Sequence, residues 1–303
     1  MTTTRPCIFV SALALGVLAV GSASAQPVVP ETREYSRSGE LSPGAAAPSI
    51  ESMMAAIQSG SPETFRATLE YGERVLCMTC VPLLEDKLLS SGEPRVRELS
   101  AWWLRRQPFA GPAILKSLKA IVASDADPVR RARAAEALGE FMDAHALPAL
   151  ISAAKTDPIP AVRAAAVRAL ARVNDPGSGP VIAAALSDAD PSVRASAMDV
   201  LLLVAGFHDF SGLLPLLADA DPTLRTQAAR LCGQVRLAGA DVVLSAVLAG
   251  DSAAGVRKAA AWALGRIGGA NAVNALQARK AKESDVFVLS AIDVAQRMKP
   301  GTP

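Results

Sequence analysis

The sequence has almost no excess of charge of either sign. It contains 31 lysines and arginines against 29 aspartates and glutamates, which gives a formal net charge of +2. Neutralising the phosphates of a nucleic acid requires a basic excess on one face of a protein. We therefore expect no nucleic-acid partner.

Residues that commonly act in catalysis or bind metals are also scarce. The two histidines, His145 and His208, stand apart and are expected at helix starts or solvated tips, which argues against a Ser-His-Asp arrangement. There are four cysteines, and Cys7 lies in the predicted leader described below, so a four-cysteine zinc site cannot be completed. The sequence predicts no metal and no cofactor. Aromatic residues make up only 4%, and alanine-rich segments give high helical propensity nearly throughout.

Long apolar runs are absent except for one near the start of the sequence. It covers Ile8–Val20, follows a single cation, and precedes the small residues Ala23 and Ala25. It is shorter than the roughly 20 residues that a spanning helix needs. This layout is that of a secretory signal peptide over residues 1–25. We expect cleavage after Ala25, a periplasmic or secreted protein, and no membrane insertion afterwards.

The next segment, residues 26–48, has a different composition from the rest. It combines four prolines and mixed charges with little apolar content. Such a segment cannot bury enough apolar surface to fold, so it is expected to be a disordered linker.

What the sequence does contain is a repeat. A Val-Arg-x-x-Ala-like phrase returns six times, and its arginines are separated by 34, 32, 31, 31 and 32 residues. The phrase arginines are Arg97, Arg131, Arg163, Arg194, Arg225 and Arg257. A constant step of this size predicts stacked supersecondary units that share one continuous core.

Each repeat predicts a helix, a turn and a second helix. An acid followed by proline lies four and three residues before most phrase arginines, as in Asp190-Pro191, and predicts a capped helix start. Alanines three and four residues after the arginine and a leucine seven after it form the stripe that faces the core. A more hydrophobic helical segment precedes each phrase, beginning with residues 81–89. An aspartate six residues before the arginine is expected to pair with an arginine of a neighbouring repeat.

These phrases, such as DPSVRASAMDVL at residues 190–201, resemble HEAT repeats of the short kind found in phycobilisome lyases. The resemblance implies an all-α fold, a right-handed α-solenoid of about seven helical hairpins over residues 80–298. An N-terminal helical cap over residues 49–79 and a tail at residues 299–303 complete the chain. In the last unit we expect Val288 at the arginine position. The family implies a protein-binding scaffold, with a lyase-like modifying enzyme as an alternative, and the His-Glu pairs of its hydroxylases are missing here.

Cys77 and Cys80 form the one local motif outside the repeat. A structural disulfide between them is the leading interpretation in an oxidising compartment. A thiol redox role and a shared metal remain open. The last thiol, Cys232, occupies a leucine position and is expected to be buried in the core.

The candidate binding surface lies on the phrase helices, which are the second helices of the hairpins. Side chains one, five and nine residues after each phrase arginine point away from the core stripe. We call this surface the second-helix face, and its predicted partner-binding residues are Trp102, Arg106, Arg168, Arg172, Arg230, Trp262 and Arg266. Tryptophan and arginine are enriched at protein interfaces, so a protein or peptide partner is expected. In the alternative interpretation the tryptophan rings fold onto neighbouring helices and the charges only maintain solubility.

Overall fold

The structure, a computed structural model, describes residues 48–59, 61–72, 75–107 and 110–298. Within these residues there are sixteen α-helices and no β-strand. The predicted signal peptide, nearly all of the predicted linker and the tail lie outside the described residues. The all-α prediction is confirmed.

The helices form consecutive antiparallel hairpins. The N-terminal pair is α1 (Ile50–Ser59) and α2 (Pro62–Tyr71). The first helices of the next seven hairpins are α3 (Cys80–Ser90), α5 (Gly111–Ser124), α7 (Leu147–Thr156), α9 (Gly179–Ala185), α11 (Leu213–Leu216), α13 (Ala240–Gly250) and α15 (Ala270–Lys280). The second helices are α4 (Pro94–Arg106), α6 (Pro128–Phe141), α8 (Pro160–Val173), α10 (Pro191–Val200), α12 (Pro222–Val235), α14 (Ala254–Ile267) and α16 (Val286–Arg297). Seven such hairpins and an N-terminal pair make an α-solenoid, as the repeat predicted.

The Asp-Pro phrases start helices for the expected reason. The side chains of Asp127, Asp190 and Asp221 each accept a hydrogen bond from the main-chain N–H two residues further on, at 2.7–2.8 Å. The proline that follows begins the helix, where its missing N–H costs nothing. Glu93 differs, because its longer side chain makes no capping bond to α4.

Second helices stack closely because small residues meet at their crossings. A Cβ added to Gly139 of α6 would lie 2.8 Å from the Cα of Ala169 in α8. Gly233 and Gly265 have the same relation, at 2.7 Å, to the Cα atoms of Ala263 and Ala295 in the next second helices. Leucines seven residues after the phrase arginines, such as Leu138 and Leu170, are fully buried beside these contacts. Full burial of one such side chain contributes about 2 kcal/mol to stability.

The last unit is displaced by one residue from the predicted alignment. Val288, which we expected at the arginine position, is fully buried like Val256, the residue before the phrase arginine of α14. Gly233 contacts Ala263, which lies six residues after the phrase arginine of α14. Gly265 contacts Ala295 in the same way, so the arginine position of the last unit lies six residues before Ala295, at Leu289. The prediction was wrong because this unit has no arginine or Asp-Pro pair to anchor the count.

The fifth hairpin is irregular and separates the regular units on either side. Its first helix, α11, has only four residues, and the preceding α10 ends in a short turn of 3-10 helix over Leu201–Leu203. In the connecting loop the rings of Phe207 and Phe210 pack edge to face with centroids 5.2 Å apart. Phe207 also lies over Gly179 at the start of α9. The solenoid therefore continues through this hairpin with a loop in place of most of a helix.

Candidate functional site

A ladder of ion pairs runs along one edge of the second helices. Five phrase arginines each donate two hydrogen bonds to one carboxylate in the next repeat, at 2.7–3.1 Å. The pairs are Arg131 with Asp157, Arg163 with Asp188, Arg194 with Asp219, Arg225 with Asp251, and Arg257 with Glu283. We call this set the arginine ladder, and it confirms the predicted pairing between neighbouring repeats.

The remaining hydrogen-bonding groups of the ladder are also used within the chain. We call each arginine–carboxylate pair a rung. In each rung the third guanidinium nitrogen donates to the main-chain carbonyl six residues before the arginine, as Arg163 does to Asp157 at 2.9 Å. Each acid also accepts a main-chain N–H, as Asp188 does from Asp190 at 2.9 Å. The hydrogen bond from Arg163 holds the pKa of Asp188 below its usual value. The ladder thus has a structural role in holding neighbouring repeats together.

The first phrase arginine departs from this pattern. Arg97 donates to the carbonyls of Ser91 and Gly92 but reaches Glu136 on the second-helix face, at 3.3 Å. The acid that would complete its rung, Asp125, is paired with Arg130 instead, at 3.0 Å. The edge ladder therefore connects to the face at its N-terminal end.

On α4, α6 and α8 the second-helix face is a network of opposite charges. Glu136 lies between Arg97 and Arg168, 3.3 Å from each guanidinium. Glu140 pairs with Arg172 one turn further along. Arg168 also donates to the hydroxyl of Ser196 at 2.9 Å. The charged residues of this network line a cleft of about 160 Å³, in which acids and bases are paired.

Trp102, at the N-terminal end of the face, is partly covered. Its ring is half-buried and packs against the hydrophobic core. The guanidinium of Arg106, one turn later on α4, lies 4.2 Å from the ring centroid in a cation–π contact. The adjacent Trp103 is fully buried, and its indole N–H donates to the carbonyl of Gly72 at 3.3 Å. Trp103 therefore joins α4 to the N-terminal pair.

On α12 and α14 the same positions carry cations beside aromatic rings. The ring of Trp262 is half-buried against α12, where a Cβ on Gly233 would lie 2.8 Å from its Cζ3 atom. The guanidinium of Arg266 lies 5.8 Å from the Trp262 centroid. Arg230, one turn before Gly233, is exposed. The folding of Trp262 onto its neighbour agrees with the alternative interpretation of the tryptophans, while the cations remain accessible.

Sequence analysis missed one residue of this region, Phe287. Its ring is 68% exposed at the start of α16 and lies 5.8 Å from the ammonium nitrogen of Lys258 on α14. The only signal in the sequence was an aromatic residue in an aromatic-poor chain. Phe287 lies two residues before Leu289, outside the positions one, five and nine that define the face, so counting did not select it. Val294 of α16, 48% exposed, stands five residues after Leu289, the position that Trp262 has in its own unit.

The structure therefore places the predicted partner-binding residues in two groups. Trp102, Arg106, Arg168 and Arg172 lie on the N-terminal second helices, and Arg230, Trp262 and Arg266 lie on the C-terminal ones. Helix α10, with its irregular end, stands between them.

Cys77 and Cys80 are joined by a disulfide, as the leading interpretation predicted. Both side chains are buried, with exposed fractions of 1% and 0%, directly at the start of α3. Buried sulfurs offer no surface to a thiol substrate, so the geometry gives no support to a redox role. Cys232 is fully buried, and burial raises the pKa of its thiol to about 12, which makes it an inert core residue.

The histidines and other potential ligands form no metal centre in the described part of the chain. His145 is largely exposed and its Nδ1 lies 2.7 Å from Asp143, and His208 is exposed on a loop. No group of three or more histidine, cysteine or acidic side chains is arranged to hold an ion among the described residues. None of the described helices is sufficiently long and apolar to cross a bilayer.

Comparison with known proteins identifies the family. Residues 81–160, 115–202 and 210–295 match the profile of HEAT repeats, and together they cover more than half of the sequence. The chain therefore belongs to the HEAT-repeat family. No curated protein matches the chain in sequence.

Solved structures share the architecture. The YibA protein of Escherichia coli has 16% identity, a TM-score of 0.54, and an alignment covering 82% of this chain and 93% of YibA. Human deoxyhypusine hydroxylase has 22% identity over 82% of this chain and 96% of its own, with a TM-score of 0.35. The CpcE–CpcF phycocyanin lyase complex of Nostoc sp. PCC7120 has 22% identity over 71% of this chain and 93% of the other, with a TM-score of 0.39. YibA supports the fold, and the other two carry no argument about activity.

Proposed function

We propose that this protein is an exported scaffold that binds a protein or peptide partner along its second-helix face. The observation that carries the proposal is the difference between the ladder and the face. Every recurring charge on the ladder edge is bonded within the chain, whereas the face presents Trp102, Arg230 and Trp262 at the same position of their units, five residues after the phrase arginine, with Arg266 one turn after Trp262. Arginine beside tryptophan is characteristic of interface hot spots.

Binding is favoured over catalysis by the distribution of the reactive groups. Among the described residues, Cys77 and Cys80 are joined in a disulfide and Cys232 is buried, and the two histidines lie apart on exposed turns. Neither the redox alternative nor the lyase-like alternative has an observation in its favour in this structure. The typical role of HEAT repeats, protein binding, needs only a shaped and chemically distinct surface.

Export is supported by the leader-like composition of residues 1–25 and by the disulfide. A bond between Cys77 and Cys80 persists in oxidising compartments, whereas cytosolic thiols are kept reduced. N-terminal sequencing of protein recovered from a periplasmic fraction tests this part. We expect the mature chain to begin at Gln26, and an uncleaved chain confined to the cytosol would contradict export.

Selection from a random peptide library on the immobilised full chain tests the binding function. Two variants probe the face, Trp102→Ala/Arg168→Glu/Arg172→Glu and Arg230→Glu/Trp262→Ala/Arg266→Glu. The matched control reverses two exposed cations on first helices, Lys116→Glu/Lys155→Glu, which make no ion pair among the described residues. We expect selected peptides to lose binding to at least one face variant and to keep it on the control. Equal binding to all three variants would remove the second-helix face from consideration.

A further inference from the structure

The second-helix face changes character between its ends, and the C-terminal end carries positive charge without compensation. We define the C-terminal patch as Arg230, Lys258, Trp262, Arg266 and Phe287. Arg230 is exposed and makes no hydrogen bond or ion pair with the described residues. Lys258 contacts only the ring of Phe287 through its charge, and Arg266 only that of Trp262.

Carboxylates near the patch are already engaged elsewhere. Asp199 of α10 occupies the place equivalent to Arg230 and accepts a hydrogen bond from the neutral amide of Gln227 at 2.6 Å, so it keeps its charge but forms no ion pair with Arg230. Asp293 of α16 pairs with Lys280 at 2.6 Å. The residues one, five and nine after the arginine position of α12, α14 and α16 include no acid. At the N-terminal end, by contrast, Glu136 and Glu140 form ion pairs with the arginines.

The donors of Arg266 are also incompletely used. Its Nε atom is buried and has no hydrogen-bond partner among the described residues. Buried donors in native proteins are nearly always bonded, so this atom is an exception, and a partner could bond it only if the Arg266 side chain rearranged.

The patch offers apolar contact together with the cations. Phe287 and Val294 are exposed by 68% and 48%, and part of the Trp262 ring is accessible beside them. Trp262 packs on α12, and each ring has a cation beside it, since Arg266 lies 5.8 Å from the Trp262 centroid and Lys258 lies 5.8 Å from the Phe287 centroid. A partner can therefore place acidic and apolar side chains on the patch at the same time.

We propose that the C-terminal patch binds an acidic protein segment whose carboxylates pair with Arg230, Lys258 and Arg266 while apolar side chains cover Trp262 and Phe287. This inference rests on the proposed function and specifies the chemistry of the partner. Charge complementarity argues for it, because acidic side chains of the partner would supply the negative charge that the chain lacks at this end of the face. A protein segment is favoured over a nucleic acid because the chain as a whole has a formal charge of only +2.

Fluorescence anisotropy with synthetic peptides tests the inference on the full chain. The probe is a labelled peptide of glutamates interspersed with phenylalanine and leucine, and its counterparts replace every glutamate with glutamine or with lysine. We expect the glutamate peptide to bind at least about tenfold more tightly than the glutamine peptide, with loss of affinity as salt is raised. Failure of the glutamate peptide to bind would overturn the inference.

Substitutions in the C-terminal patch test whether the glutamate peptide binds there. Arg230→Glu/Lys258→Glu should weaken the glutamate peptide about tenfold or more, and Phe287→Ala should weaken it less, because only apolar contact is lost. The control Lys116→Glu/Lys155→Glu has the same change in net charge and should bind as the wild type does. Circular dichroism verifies that each variant remains helical. Equal weakening by the control would show that the effect comes from net charge and would contradict a local patch.

Two other occupants give distinguishable results. An oligothymidylate that binds more tightly than the glutamate peptide would replace the protein partner with a nucleic acid. Self-association that is abolished by Arg230→Glu/Lys258→Glu would assign the patch to a second copy of the chain. If library selection yields only neutral or basic peptides that depend on the second-helix face, the proposed function stands and this inference falls. If no peptide binds, both fall.

Discussion

The two ends of the second-helix face are built on the same scaffold and differ in how their charges are satisfied. On α4, α6 and α8 the acids Glu136 and Glu140 lie between arginines of neighbouring helices. On α12, α14 and α16 the equivalent places hold cations, aromatic rings and no acid. Beneath both ends the arginine ladder and the glycine–alanine crossings have the same geometry.

This difference shows that the residues that stack the repeats are separate from the residues of the exposed face. The ladder recurs because each repeat must dock on the next, so its residues are dictated by the scaffold. The face is exposed and makes few contacts that the fold needs. Its residues can therefore vary from one end to the other without disturbing the solenoid.

Acid should have the largest effect, because it acts on several rungs of the ladder at both ends. Hydrogen bonds from Arg163 and Arg225 lower the pKa values of Asp188 and Asp251. An acid whose pKa is lower in the folded state stabilises the fold above its unfolded pKa, about 3.9, and this stabilisation is lost as the pH falls through the folded pKa. We expect the free energy of unfolding, measured in urea, to fall as the pH is lowered below about 4. A curve that stays flat in this range would contradict the ladder's role.

Removing one rung should cost more than removing one ion pair of the face. In Asp188→Ala the guanidinium of Arg163, whose side chain is only 15% exposed, loses its carboxylate, and we expect a loss of about 3 kcal/mol in unfolding free energy. In Glu136→Gln the pairs are more exposed, and we expect less than about 1 kcal/mol. Urea denaturation of the two variants measures both. Equal losses would mean that ladder and face contribute alike.

Filling the helix crossings should destabilise both ends but disturb only one part of the face. Gly139→Ala and Gly233→Ala each place a Cβ within 3 Å of a neighbouring backbone, and overpacking of this kind costs about 2 kcal/mol. Only Gly233→Ala also collides with the Trp262 ring, so it should change tryptophan fluorescence and weaken the glutamate peptide. Gly250→Ala is the control, because nothing lies within 4 Å of the added carbon. An unchanged Trp262 environment in Gly233→Ala would contradict the packing described.

The smallest expected effect comes from making the N-terminal end resemble the C-terminal one. Glu136→Gln/Glu140→Gln removes the charges that neutralise Arg168 and Arg172, with little change in stability. We expect the affinity for the glutamate peptide to rise about threefold, since exposed ion pairs are worth less than about 1 kcal/mol each. The control Glu51→Gln/Glu63→Gln removes the same amount of charge from exposed positions of the N-terminal pair, outside the face, and should leave the affinity unchanged. No gain in the double variant would show that uncompensated charge alone does not make the patch.

Much of the fold could be predicted from the residues because local chemistry recurs at a fixed step. Asp190-Pro191 and its equivalents marked helix starts, and the alternation of aspartate and arginine predicted the ladder that the structure contains. Prediction failed where the phrase is missing. Val288 was placed one residue out of register because its unit has no anchoring arginine or Asp-Pro pair. Phe287 was missed because it lies two residues before the arginine position, outside the three positions that define the face.

The sequence by itself determined the helices, the hairpins, the core stripe and the disulfide partners, since each depends on residues close together or on a pattern repeated in every unit. Only the tertiary structure decided how the charges of the face are paired, that Trp262 folds onto α12 beside Gly233, and that Lys258 meets Phe287. These contacts join side chains of different repeats. Their partners depend on how closely and in what register successive helices pack, which no single stretch of sequence specifies.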